Sequence, residues 1–174
     1  MLPLAVKEYV MSQTNRLSKL VKATSKFPKS LRSTLWSKAF GRVVPMVGTA
    51  NIRYLEVDQH HVTVRLENQR NMQNHIKGIH AAAMALLAET ATGFLTGLHV
   101  PDNRILLIKS LHVDYLKVVQ GGLTATATLS KEQQDYIADQ EKGELLIPVT
   151  VTDDSGIEPI QCQMVWAWLP KRKS

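Results

Sequence analysis

Residues 80–93 read His-Ala-Ala-Ala-Met-Ala-Leu-Leu-Ala-Glu-Thr-Ala-Thr-Gly, and Glu89 is the only formally charged side chain between Lys77 and Asp102. Alanine, leucine and methionine favour a helix, here from about residue 79 to 98, with apolar residues around the whole wheel rather than along one stripe. A helix with no face to give to water must be enclosed, so the rest of the chain has to wrap it. The run is long enough to raise a membrane-spanning reading. Its central carboxylate, its threonines and the glycines at 93 and 97 favour a core helix instead. Enclosing an ionised carboxylate costs on the order of several kcal/mol unless it is paired. No Lys or Arg lies within a helical turn of Glu89, which leaves the hydroxyls of Thr90, Thr92 and Thr96 as local partners. A lone acid in such a setting reads as functional.

On either side of this helix the period changes to two. Val62, Val64 and Leu66 alternate with Thr63, Arg65 and Glu67, and residues 50–57 are expected to pair with them through a turn at 58–60. Residues 68–77 form a polar connector. Beyond the helix, residues 105–119 read as one long strand, Gly121-Gly122 as a turn, and 123–129 (LTATATL) as a strand with its threonines on one face. Ser130 and Gln133 stand at capping-box spacing ahead of a helix to about 142. Residues 145–152 and 159–169 read as a hairpin through Asp-Asp-Ser-Gly at 153–156. Pro148, which has no N–H, is expected at an edge or a bulge. The result is an α+β class: an antiparallel sheet of about six strands around one long central helix.

The 174 residues suit one domain, and 44% hydrophobic content suffices for a core. The single Cys162 excludes an internal disulfide and a multi-cysteine zinc site. No secretory signal is legible, so a cytoplasmic, reducing compartment is expected. The net charge of +6 is uneven: residues 1–45 hold nine basic side chains against Glu8, and Lys171, Arg172 and Lys173 end the chain, leaving the middle mildly acidic. Residues 6–27 and 28–45 carry apolar residues at helical spacing, which predicts two basic amphipathic helices. We therefore divide the chain into a helical extension at 1–48, a folded domain at 49–170 and a basic tail at 171–174.

Gly78-Ile79-His80-Ala81-Ala82 puts small residues at the helix start, where free backbone N–H groups suit an anion or a developing oxyanion. Nine residues separate His80 from Glu89, about 180° around the axis and about 13.5 Å along it, so the two cannot converge on one straight helix. A two-fold dimer with antiparallel helices would bring Glu89 of one chain to His80 and Ala81 of the other.

The spacing Asn74, His80, Glu89 in N-HIKGI-H-AAAMALLA-E-TATG resembles the hotdog-fold thioesterases, particularly the PaaI-like group. Their motif has Asn or Gln, a His-Gly-Gly or His-Ala-Gly turn six residues on, and Asp or Glu nine beyond that His. SLHVDYLK at 110–117 and GGLTATATL at 121–129 are similar to that family's next strands, and the likeness covers about residues 49–169. It implies a hotdog fold and hydrolysis of an acyl-CoA or related thioester without a cofactor or metal. Glu89 would be general base or nucleophile, the Ala81 N–H the oxyanion donor, and Asn74 the group that orients the water or the acid. His80 would order the turn. Ala81 and Ala82 replace the family's paired glycines, and Gly93 stands where some relatives place a hydroxyl residue, so Thr90 or Thr92 would substitute for it. Arg70, Lys77 and Lys117, with the basic extension, would meet the nucleotide phosphates of the substrate. The assembly implied is a homodimer or a dimer of dimers.

Other constellations carry less. His75, His80, His112 and Asp114 match no zinc spacing. Cys162 alternates with Met164 and Trp166 as a core thiol does. No G-x-S-x-G, P-loop or G-x-G-x-x-G occurs. A dehydratase on the same fold would pair a catalytic His with its acid in a Pro-Gly-rich loop, and none is seen. A non-catalytic acyl-thioester binding or sensing module is the alternative reading. The extension lacks a helix-turn-helix pattern, so a nucleic-acid partner is not expected, whereas peripheral membrane contact by its basic face is compatible with the charge pattern.

Overall fold

The computed structural model describes residues 15–172. The expected helix over residues 6–27 lies partly outside them, and its described part is α1, Arg16–Thr24. Asn15 caps α1 by accepting from Ser18 N (2.8 Å) and donates through Nδ2 to the carbonyls of Gly97 and Val100 (both 2.6 Å). One buried side chain thus ties the first described helix to the end of the central one. After Pro28, α2 (Lys29–Val43) runs to a short α3 (Pro45–Thr49). Gly41 and Gly48 let α2 and α3 touch backbone to backbone, since a Cβ on Gly48 would lie 2.4 Å from the Gly41 carbonyl oxygen.

Seven strands follow, one more than expected. They are β1 (Arg53–Val57), β2 (His61–Leu66), β3 (Arg104–Tyr115), β4 (Leu123–Thr128), β5 (Gly143–Ile147), β6 (Val149–Asp153) and β7 (Ile160–Pro170). They form two antiparallel sheets, β1-β2-β4-β6 and β3-β7-β5. The extra strand arises at Pro148, which divides the run expected as one strand. β5 pairs with β7 (Leu145 opposite Trp166), whereas β6 pairs with β4 in the other sheet (Val151 opposite Ala125). The expected hairpin between residues 145–152 and 159–169 therefore holds only for its first half. Pro148 has no N–H for a ladder, but its carbonyl accepts from Thr128 N (3.1 Å), and the chain crosses between sheet edges there. β3 stops at Tyr115, short of the expected residue 119.

The alanine-rich run is α4, Ala81–Gly97, with ten buried residues, and it packs against strands of both sheets. α5 (Lys131–Asp139) starts with the expected capping box of Ser130 and Gln133. Phe40 of α2, Tyr54 of β1 and Phe94 of α4 meet with ring centroids 4.5 to 5.2 Å apart, fastening the N-terminal helices to the wrapped core.

Candidate active site

Glu89 lies midway along α4 and is half-buried. Among the described residues its carboxylate has no hydrogen-bond or ion-pair partner, and burial alone lifts its pKa above the usual carboxylate range. The threonine hydroxyls expected to partner it are engaged elsewhere. Thr90 Oγ1 donates to Leu86 O (2.6 Å), Thr96 Oγ1 to Thr92 O (2.7 Å), and Thr92 Oγ1 to Ala88 O (2.9 Å) while accepting from Trp166 Nε1 (2.9 Å). Bonding back to the preceding turn is the habit of a hydroxyl inside a helix, and it leaves the acid alone.

The carboxylate borders a cavity of about 780 Å³. Glu89, Thr90 and Gly93 share its α4 wall, and Tyr54 and Trp166 line it with them. Thr92 is fully buried and is not part of this wall. Gly93 is required by its neighbour: a Cβ there would lie 2.4 Å from Trp166 Cζ2.

The other expected residues gather at the start of α4. The loop before it is closed by a bridge between Gln73 and Ile79 and by His80 N donating to Met72 O (2.8 Å). Asn74 Oδ1 accepts from Ile76 N (3.0 Å) and Gly78 N (3.1 Å), so its carbonyl end orders the turn. His80 is the N-cap. Its Nδ1 accepts from Ala82 N (3.1 Å), and its carbonyl accepts from Ala83 N (2.9 Å) and Met84 N (3.1 Å). Among the described residues this leaves the Ala81 N–H as the first-turn amide without a partner. A recess of about 230 Å³ beside His80 shares the Leu86 side chain with the larger cavity.

Arg70, Lys77 and Lys117 are exposed and line neither space. Lys77 adopts φ +63° at the loop tip, and the Lys117 N–H donates to Pro159 O (3.1 Å). Within one chain the structure therefore groups Glu89, Thr90 and Gly93 at one place and Asn74, His80 and Ala81 at another. Among the described residues no three His, Cys, Asp or Glu side chains come together as a metal site. The Cys162 thiol is pushed up to about 11 by burial, which makes it a poor nucleophile. Sequence reasoning expected the N-terminal helices but missed the cavity they roof, through Leu17 and Leu20 of α1, Val43 at the end of α2 and Val44 just beyond it. Its signal was the helical spacing of those apolar residues opposite the basic face.

Residues 32–169 match the family model described as "Domain of unknown function (DUF4442)". No curated protein matches the chain. Solved structures similar to it include a protein of unknown function from Pseudomonas aeruginosa described as a probable thioesterase (18% identity, TM-score 0.69, 83% of this chain and 97% of that one). A thioesterase from Haemophilus influenzae is 12% identical (TM-score 0.62, 84% and 94%). A protein of unknown function from Chlorobaculum tepidum is also 12% identical (TM-score 0.67, 82% and 97%). These likenesses bear out the hotdog fold expected from the motif: antiparallel sheets wrapped on a central helix, with helices before them.

Proposed function

The chain belongs to the family described as "Domain of unknown function (DUF4442)", and from that premise we propose that it hydrolyses an acyl-CoA-type thioester at a site shared by two subunits. The observation that carries this reading is Glu89, an unpartnered carboxylate raised by burial on the wall of an apolar cavity. Thioesterase descriptions among proteins of the same fold agree with it.

Glu89 takes a proton from water as the water oxygen attacks the thioester carbonyl carbon. The carbonyl becomes an oxyanion, held by the Ala81 N–H of the second subunit at the positive end of its helix. The oxyanion collapses, the carbon–sulfur bond breaks, and the leaving thiolate takes the proton from Glu89. The products are a free thiol and a carboxylic acid that loses its proton to solvent. His80 holds the helix tip, and the Nδ2 of Asn74, which has no acceptor among the described residues, is available to orient the water or the acid. Glu89 as nucleophile, through an anhydride that water then opens, is the variant of this chemistry.

A shared site needs a face for the second subunit. β3 is the outer strand of its sheet, and Tyr115 at its end donates to Ala81 O (3.0 Å). A copy seated along β3 would therefore lie beside the helix tip. The deciding experiment measures turnover of a panel of acyl-CoAs by wild type and Glu89→Gln. Loss of at least about a hundredfold in kcat, with the fold intact by circular dichroism, is expected for a general base. Undetectable wild-type turnover with tight acyl-CoA binding would replace this reading with the binding or sensing module.

A further inference from the structure

The cavity beside Glu89 is far larger than a reacting carbonyl and a water need, and its lining is almost wholly apolar. Its floor is one stripe of α4, Leu86, Glu89, Thr90, Gly93 and Phe94, the repeating face of a helix. Its roof is the N-terminal helices, with Leu20, Val43 and Val44 between 46% and 75% exposed at the opening. From Glu89, where the thioester would sit, to Phe94 at the end of this floor, α4 rises about 7.5 Å. At roughly 1.3 Å of projected length per carbon–carbon bond, that is the reach of about six methylenes. Among the described residues Arg16 is the one basic side chain of its lining, and it is drawn to Asp102 (3.8 Å). An apolar slot beside a lone carboxylate complements an apolar tail that carries its reactive group at one end.

We propose that this cavity takes the acyl chain of a medium-chain fatty acyl thioester, and that α1–α3 set the chain length accepted. This rests on the reading of Glu89 as the acid beside the reacting carbonyl. The chain enters with its thioester at Glu89, and its methylenes run over Gly93 beneath Leu17 and Leu20.

The test uses the full chain and non-hydrolysable S-alkyl-CoA thioethers of two to twelve carbons, with binding measured by calorimetry. Affinity rising about two- to fourfold per methylene and levelling near eight carbons is expected. In Val44→Trp and Leu20→Trp, which fill the roof, the dodecyl-to-ethyl affinity ratio falls at least tenfold. A series flat with chain length, as a second copy of the chain seated in the cavity would give, overturns the inference, as does an unchanged ratio in both folded variants. Should neither variant fold, the wild-type series alone decides. The two readings fail separately. A rising series without any turnover keeps the acyl slot and removes the hydrolase, whereas turnover lost in Glu89→Gln with a flat series does the reverse.

Discussion

For Glu89, the pH dependence of the proposed hydrolysis and the effect on stability both take their sign from burial. Catalysis as general base needs the ionised carboxylate, so kcat/KM is expected to fall as pH drops through a pKa above the usual carboxylate range, an acid limb displaced upward from about 4.3. For stability the raised value means that the folded state holds the proton more tightly than the unfolded chain does. Below the unfolded value both states are protonated and nothing is lost; the cost of the buried charge grows as pH rises through the folded value. Glu89→Gln is therefore expected to raise Tm at pH 7 and leave it unchanged near pH 3, as read by thermal unfolding. The side chain is only half-buried, which holds the gain below about 1 kcal/mol, a few degrees at most. The acid was legible in sequence because nothing charged stands near it. Its isolation from Thr90, Thr92 and Thr96 was not, because a hydroxyl's choice between a side chain and the preceding turn depends on rotamers that neighbours such as Trp166 fix.

α4 depends on its first turn. His80 caps Ala82 N through Nδ1, and loss of such a cap costs about 0.5–2 kcal/mol. In urea denaturation, His80→Ala is expected to lose about that much and His80→Asn to recover most of it. An alanine variant as stable as wild type would remove the capping role. The strand after α5 shows where element reading stops. Residues 145–152 keep one alternating pattern across Pro148, and period alone cannot say that its halves serve different sheets. Proline announced an interruption. Which partner each half found was decided by sheet edges that exist only once β4 and β7 are in place.

For the molecule as a whole, the outer edge of β3 exposes Ile105, Leu107 and Leu111, 41% to 48% accessible, on a twelve-residue strand with one side unpaired. Such an edge invites a second chain. For the proposed dimer along β3, sedimentation is expected to show wild type as dimer and Leu107→Lys with Leu111→Lys as monomer, and kcat/KM should fall at least about a hundredfold because the proposed pairing of Glu89 with the partner's Ala81 N–H would be lost. A double variant that stays monomeric and active would end the shared-site proposal. By itself the sequence determined that α4 must be enclosed, that strands surround it, and that one acid stands apart, since these follow from which residues can face water at helical or strand period. The tertiary structure decided that N-terminal segments from Leu17 to Val44, far upstream in the chain, roof that acid, and that the threonines turn away from it. Those outcomes depend on which surfaces meet in space, and local pattern carries no record of a neighbour that distant in the chain.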